Sequence, residues 1–192
     1  MLIVVRHGRT EVNRDKRLLG RLDPALDEVG RAQASALAAH VGTVDRIVSS
    51  PLRRTKETAA AWGQAVEVDD RWIELDYGEL DGVPLADVGP EVWRSWRSDI
   101  DFAPAGGESI AALGQRVRSA CENLRADAST GNVVVVTHVS PIKASVAWAL
   151  GVSDDIAWRM FVAPAAVTTI AVSDTSASLR GFNHVDHLVG IE

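Results

Sequence analysis

The chain has 192 residues, of which 46% are hydrophobic and 24% are charged, a balance that is typical of globular proteins and excludes a disordered or fibrous one. Its 26 Asp and Glu outnumber its 20 Lys and Arg, and the net charge of −6 argues against nucleic acid or an anionic membrane as a partner. The length predicts a single domain over residues 1–192. Cys121, the only cysteine, cannot form an internal disulfide, and no apolar run is long enough to span a membrane, so we expect a cytoplasmic protein.

Short runs of β-branched and other apolar residues predict the strands of one sheet. In chain order, the predicted strands are 2–5, 45–49, 132–137, 167–172 and, at an edge, 178–182. Helical patterns lie between them, at residues 27–41, 51–62, 108–128 and 141–150. Strands that alternate with helices in this way predict a three-layer α/β/α sandwich with a mostly parallel central sheet.

The segment 79–107 breaks this alternation. It contains three prolines and predicts a small irregular cap insertion with a short helix at 91–98. Such insertions on α/β scaffolds often shape a binding site, and the alternative is a surface cap with no role in binding. Trp93 and Trp96 accordingly either line a substrate wall or anchor the cap.

Arginine and histidine side chains follow three of the predicted strands at the points where these strands end. They are Arg6, His7 and Arg9 after the first strand, Arg53 and Arg54 after the second, and His138 and Val139 after the strand at 132–137. Because ligands of open α/β sheets bind beyond the carboxyl ends of the strands, we expect these residues to converge. Ser50-Pro51 and Ser140-Pro141 predict helix N-termini at the same edge, where free N–H groups attract phosphate. The sequence therefore predicts a cationic anion site on an acidic protein.

Two histidines stand at equivalent strand ends in this predicted site. A lone histidine is more often structural, but His7 and His138 both adjoin inferred anion donors. Neighbouring cations disfavour protonation, so at least one imidazole should be neutral near pH 7. Since a neutral imidazole can attack the phosphorus of a bound phosphoryl group, the pattern favours phosphoryl chemistry.

Five motifs occur in an order that is specific to one family. They are RHGRT at 6–10, SPLRRTKETA at 50–59, ELDYG at 74–78, GGES at 106–109 and VTH at 136–138. In these residues the chain resembles the histidine phosphatase superfamily, also called the phosphoglycerate mutase-like family, and within it the small phosphatases. The matches cover nearly the whole chain, which makes the set far more specific than the first motif alone.

The resemblance implies a role for each matching residue. His7 would be the nucleophile that becomes phosphohistidine, and Glu74 would be the proton donor. Arg6, Arg54 and His138 would complete the phosphate pocket.

Further residues of the matching motifs are assigned to phosphate or substrate. They are Thr10, Asn13, Val139 and Arg9. The family usually has Glu or Gln at the position of Arg9, so this arginine either contacts a second acidic group of the substrate or points outward to a carboxylate. Arg53 is expected at the surface, because adjacent helix positions point about 100° apart. Asp76, Glu79 and Asp81 are rivals of Glu74 as the acid.

The implied activity is that of a metal-independent phosphomonoesterase of the histidine acid phosphatase type, with no cofactor. It would take a small phosphorylated metabolite and release inorganic phosphate. The alternatives are a phosphoglycerate mutase-type phosphotransferase and a non-catalytic module that binds a phosphorylated ligand. His184 and His187 with one aspartate are too few for a metal site. A homodimer is a possible assembly.

Overall fold

A computed structural model describes residues 1–191 of the chain. The strands are β1 (Leu2–Arg6), β2 (Arg46–Ser49), β3 (Glu67–Val68), β4 (Val133–Thr137), β5 (Val167–Val172) and β6 (Ala177–His184). The helices are α1 (Glu11–Arg14), α2 (Glu28–Val41), α3 (Arg53–Ala59), α4 (Pro90–Ser98), α5 (Ile110–Asn123), α6 (Arg125–Thr130) and α7 (Val139–Leu150). No described helix is both long and apolar enough to cross a lipid bilayer.

The six strands form one sheet in the order β3-β2-β4-β1-β5-β6. β1, β2, β3 and β4 are parallel, whereas β5 is antiparallel to β1 and β6 is antiparallel to β5. The expected α/β fold with a mostly parallel sheet is thus confirmed. Parallel neighbours bring the carboxyl ends of β1, β2 and β4 to one edge, which is the edge where the sequence predicts the site.

The sheet is covered on both faces, which gives the three expected layers. On one face, Leu2 and Val4 of β1 pack with α5 and α7 in a large apolar cluster. On the other face, Val5 of β1 packs with Leu37 of α2 and Ala59 of α3. Alternate residues of one strand therefore pack into two different apolar cores, and this explains why the sequences of β1 and β4 contain unbroken apolar runs.

The insertion 79–107 has a small core of its own. Trp96 of α4 is buried with Leu18 and Val88, and Trp93 packs beside it with ring centroids 5.6 Å apart. The predicted helix at 91–98 is α4, which begins one residue earlier at Pro90. Proline at the first helical position is favourable because its missing N–H has no partner to lose there.

The two predicted serine caps are wrong. α3 begins at Arg53, two residues after Pro51, and the Ser50 hydroxyl lies 2.7 Å from a histidine of the neighbouring strand end. α7 begins at Val139, directly after β4, so Ser140 and Pro141 lie inside its first turn, where a proline is tolerated.

Three further boundaries differ from the sequence patterns. The predicted helix at 108–128 is two helices, α5 and α6, which meet at Leu124. β3 is two exposed residues long and has no apolar pattern to reveal it. α1 is one turn held by reciprocal hydrogen bonds between Thr10 and Asn13, and no apolar face marks it.

Candidate active site

The register of the sheet brings the two histidines together. Arg6 of β1 lies opposite Thr137 of β4, so the residues that follow, His7 and His138, are neighbours at the carboxyl edge. Their rings are 5.1 Å apart between centroids and meet edge to face. Both are almost completely buried, with exposed fractions of 2% and 0%.

The ring orientation of His7 is fixed by its own loop. Nδ1 lies 2.7 Å from the carbonyl oxygen of Gly8, which can only accept, so Nδ1 carries the hydrogen and Nε2 keeps its lone pair. Gly8 in turn packs against the start of α2, where an added Cβ would lie 2.3 Å from the carbonyl oxygen of Gly30. This close backbone contact requires glycine and holds the loop that aims the imidazole.

His138 is held from the neighbouring strand end. Its Nε2 lies 2.7 Å from the hydroxyl of Ser50, while its buried Nδ1 has no hydrogen-bond partner among residues 1–191. The sequence analysis assigned Ser50 to a helix cap and missed this contact. The contact could have been expected from a sheet in which β2 pairs in parallel with β4, because Ser50 and His138, which follow the paired residues, then lie near each other.

Two buried guanidinium groups lie beside the histidines without a carboxylate partner. Arg6 donates through Nη1 to the carbonyl oxygen of Val162 at 2.7 Å, and Arg54 donates to those of Leu22 and Gly20 at 2.6 and 2.8 Å. Within the described chain, neither guanidinium finds an acceptor for its Nε. Burial lowers the pKa of each to about 10, and both remain cationic near neutral pH. Unneutralised buried cations favour an anionic ligand.

The same surroundings keep both imidazoles neutral. Burial holds the pKa of His7 well below its usual value, and the positive charges of Arg54 and Arg6 lower it further. Burial is also the main cause for His138, whose pKa is likewise far below the ordinary range. The neutral ring that the sequence analysis required is therefore the favoured form at physiological pH.

We expect the free energy of unfolding to decrease as the pH is lowered below about 6.5. The folded protein keeps His7 and His138 unprotonated there, whereas the unfolded chain binds protons at both with a pKa of about 6.5. Each histidine should contribute a slope of up to about 1.4 kcal/mol per pH unit. Urea unfolding at several pH values measures this slope.

Substitution separates this effect from general acid sensitivity. His138→Gln should remove about half of the slope that the two histidines contribute, whereas the exposed His184→Gln should leave it intact. A slope that His138→Gln does not change would contradict the interpretation.

Glu74 lies at the start of α7. Its carboxylate accepts the backbone N–H of Val139 at 3.0 Å and that of Ser140 at 3.1 Å, as well as that of Leu75 at 2.7 Å. At the start of α7, the N–H groups of Val139 and Ser140, which would otherwise be free to bind phosphate, are therefore bound to a side chain of the protein. A helix N-terminus does attract an acidic side chain here, and that side chain is Glu74.

Arg116 supports the segment that carries Glu74, and the sequence analysis missed it. From α5 it donates to the carbonyl oxygens of Arg71, Ile73 and Glu74 at 2.6, 2.7 and 3.1 Å. It also forms a two-armed ion pair with Glu108 of the GGES turn, at 2.7 and 2.8 Å. The turn thus positions Glu74 through one guanidinium.

The three carboxylates that were alternatives to Glu74 as the proton donor have other partners or face water. Asp81 accepts the N–H groups of residues 20–22 at 2.7, 2.7 and 2.8 Å and shapes the loop whose carbonyl groups bind Arg54. Asp76 accepts the N–H of Gly78 at 2.9 Å, and Glu79 is exposed. Of these four carboxylates, Glu74 is the one that lines the cavity beside His7.

The remaining candidate residues divide between the cavity and the surface. Asn13 lines the cavity, and its Oδ1 accepts from the backbone and hydroxyl of Thr10 at 3.2 and 3.0 Å. Arg9 instead pairs with Asp27 at 2.8 Å, so its guanidinium is bound to the start of α2 and does not line the cavity. Arg53 is largely exposed and pairs with Glu57, as expected for a surface residue.

A cavity of about 310 Å³ opens beside His7. Its wall combines polar groups of the sheet edge with apolar side chains from three regions. Those side chains include Leu18 and Leu19, Leu85, Trp93 and Trp96 of the insertion, and Trp158 before β5. The insertion therefore forms part of the cavity wall, and its two tryptophans both line the cavity and pack the cap.

The described residues contain no group of three or more His, Cys, Asp or Glu side chains that could hold a metal ion. In the tail, His187 stacks on His40 with ring centroids 4.8 Å apart, and it lies 3.1 Å from the carbonyl oxygen of Ala165.

A buried neutral imidazole beside unneutralised guanidinium groups, at the carboxyl edge of an α/β sheet, defines a site suited to phosphoryl groups. The family model of the histidine phosphatase superfamily (branch 1) matches residues 2–185. The chain belongs to this superfamily, and the resemblance seen in the five motifs is confirmed.

Several relatives are similar over almost the whole chain. Phosphoserine phosphatase 1 of Hydrogenobacter thermophilus is 34% identical over 199 residues, which cover 97% of this chain and 93% of the relative. A bifunctional protein of Mycobacterium tuberculosis is 33% identical over 198 residues, which cover 97% of this chain and 54% of the relative. The chain thus spans about half the length of that mycobacterial protein.

Solved structures agree with the fold. A phosphoserine phosphatase of Entamoeba histolytica in complex with phosphoserine matches with a TM-score of 0.89 and 26% identity, over 97% of this chain and 98% of that chain. A mycobacterial glucosyl-3-phosphoglycerate phosphatase matches with a TM-score of 0.86 and 32% identity, over 96% and 98%.

Proposed function

We propose that this chain is a metal-independent phosphomonoesterase of the histidine acid phosphatase type that acts on a small phosphorylated metabolite. The observation that carries the proposal is the geometry of His7, whose neutral ring keeps Nε2 free beside two guanidinium groups without carboxylate partners. Relatives named as phosphatases of phosphoserine and of glucosyl-3-phosphoglycerate support the substrate class.

In the first step, the lone pair of His7 Nε2 attacks phosphorus, and the bond to the ester oxygen breaks. Arg6 and Arg54 bind the equatorial oxygens, where planar guanidinium donors match the spread of negative charge. Glu74, as the carboxylic acid, gives its proton to the leaving alkoxide. A carboxyl oxygen has two lone pairs and can accept a backbone N–H while it carries that proton.

In the second step, water attacks the phosphorus of phosphohistidine. The Glu74 carboxylate takes a proton from that water, the P–N bond breaks, and its electron pair returns to His7. Inorganic phosphate leaves, and both side chains are again in their starting forms. The protons balance over the two steps, with Glu74 as the group that gives and then takes back the proton.

Two alternatives share these residues and differ in outcome. A phosphoglycerate mutase-type enzyme would transfer the phosphoryl group to a second acceptor, and a non-catalytic module would bind the ester unchanged. Incubation with a phosphoglycerate and a bisphosphate primer, followed by product analysis, separates them. A cytoplasmic location and a homodimer stay predictions.

The proposal is tested by phosphate release from a panel of phosphomonoesters in the presence of EDTA. We expect release from at least one ester at a rate that EDTA does not change. Strong inhibition by EDTA that added metal reverses, or the formation of an isomer without release of phosphate, would contradict it.

Adjacent arginines offer a matched pair of variants for the phosphate pocket. Arg54→Lys should lower kcat/KM about 10²- to 10³-fold, because an ammonium cannot replace a planar guanidinium that is also bound to two loop carbonyl groups. Arg53→Lys should leave kcat/KM almost unchanged, since this side chain is largely exposed. Steady-state kinetics on one ester compare the two, and equal losses would contradict the assignment.

A further inference from the structure

The cavity carries positive charge that the phosphoryl group alone does not require. Lys143 and Arg17 both line it, and neither forms an ion pair with a carboxylate of residues 1–191. The acidic groups of the wall are already engaged. Glu74 accepts three backbone N–H groups, and Asp154 is held by both arms of Arg118 at 2.9 and 2.7 Å. An anionic part of a ligand would therefore meet two cations that form no ion pair within residues 1–191.

Lys143 is the more deeply placed of the two cations. It lies on α7 one turn after Val139, and residues four apart share one face of a helix. Val139 lines the same cavity and donates its N–H to Glu74, so Lys143 lies close to the reacting groups. Arg17, by contrast, is exposed and donates to the carbonyl oxygen of Gly82.

The surroundings of Lys143 make an unpaired ammonium costly. The next residue, Ala144, and the neighbouring Ile110 and Leu113 of α5 add apolar surface to the cavity wall. Burial lowers the pKa of Lys143, and the nearby charge of Glu74 opposes that shift. A charge placed in such a wall is stabilised when an opposite charge enters the cavity with the ligand.

Buried donors in the same wall also lack acceptors. The indole Nε1 atoms of Trp96 and Trp158 are inaccessible to solvent, and neither has a hydrogen-bond partner in the described part of the chain. Both rings line the cavity. Because these two N–H groups are closed off from solvent, a ligand in the cavity does not reach them, and the wall offers an anionic ligand group the ammonium of Lys143.

We propose that Lys143 is a specificity residue that binds a carboxylate of the substrate, so that the enzyme prefers phosphorylated carboxylic acids to phosphomonoesters without an acidic group. The inference rests on the proposed function and narrows its substrate class. A carboxylate fits better than a second phosphate, because the ammonium of Lys143 matches one negative charge, whereas a phosphate attracts several cationic donors and the other unpaired cation of the wall, Arg17, is exposed and bound to the Gly82 carbonyl group.

The test uses pairs of substrates that differ in the carboxylate. O-Phosphoserine is compared with O-phosphoethanolamine, and 3-phosphoglycerate with glycerol 3-phosphate. For the wild-type chain we expect a higher kcat/KM for at least one acidic member. Lys143→Met should lower kcat/KM for that member about 10- to 100-fold and leave its non-acidic partner almost unchanged.

Two further variants show whether the preference for acidic substrates depends on a positive charge at position 143. Lys143→Arg keeps the charge and should keep most of the preference. Lys56→Met removes an exposed lysine of α3 and should change neither substrate of the pair. Thermal unfolding of each variant checks the fold, and Lys143→Gln replaces Lys143→Met if the latter is unfolded.

Three outcomes would overturn the inference. They are a wild-type chain with no preference for the acidic members, a loss in Lys143→Met that is equal for both members, and a Lys143-dependent preference for a bisphosphate over the acidic monophosphate. Failure of the wild type to hydrolyse any ester would instead contradict the proposed function itself.

Discussion

Replacing His7 with alanine is expected to reduce kcat for phosphomonoester hydrolysis about 10⁴- to 10⁶-fold, because loss of a covalent nucleophile removes the reaction path itself. The imidazole is buried and neutral, and the Gly8 carbonyl group fixes its orientation. Rates of phosphate release from a single ester, measured for folded protein, give the factor.

The same variant tests the covalent intermediate. Wild-type protein mixed with a labelled ester and quenched in alkali should carry label on His7, and His7→Ala should carry none. His40→Ala, which removes an exposed histidine of α2, should be labelled and active like the wild type. Label on another side chain, or hydrolysis by His7→Ala within tenfold of the wild-type rate, would show that His7 is not the nucleophile.

Glu74→Gln is expected to lower kcat about 10²- to 10⁴-fold for esters of aliphatic alcohols, because its single amide oxygen can still accept the N–H groups of Leu75 and Ser140 but the amide cannot give up a proton to the leaving oxygen. The effect should depend on the leaving group. An aryl ester such as p-nitrophenyl phosphate releases a stable anion, so the first step of its hydrolysis needs less help from an acid.

The kinetic readout separates the two steps of the reaction. With the aryl ester, Glu74→Gln should show a burst of p-nitrophenolate followed by slow turnover, since the second step still needs a base for water. Glu79→Gln, at an exposed position nearby, is the matched control and should behave like the wild type. Equal losses for aryl and alkyl esters without a burst would indicate that Glu74 only supports the fold.

The strands that form the site were predictable because each is covered on both faces. Such a strand needs apolar residues at every position, and β4 (Val133–Thr137) shows this most clearly. β3 and α1 were not predictable in this way, since neither presents an apolar face. The contact of the Ser50 hydroxyl was not predictable either, because its partner, His138, is distant in the sequence.

Most candidate site residues were found because they follow strands that end at one edge of the sheet. The hydrogen-bond or ion-pair partner of each residue was not predictable from the sequence. The sequence left open whether Arg9 contacts the substrate or a carboxylate of the protein, and the structure pairs it with Asp27 at 2.8 Å. Arg116 and Lys143 stood out in no motif, because the partners of Arg116 and the cavity that Lys143 lines are formed by segments from other parts of the chain.

The order of residues along the chain by itself determined the apolar strands, the convergence of His7, Arg6 and His138, and membership of the superfamily, because strand ends and motifs are local features. Only the tertiary structure decided that Glu74 takes the N-terminus of α7 and that Lys143 lines the cavity without forming an ion pair in the described residues. Such pairings depend on distances between segments that are far apart in the chain. Whether Lys143 is available to a ligand depends on whether the carboxylates near it already accept hydrogen bonds from other groups, and only the fold decides this.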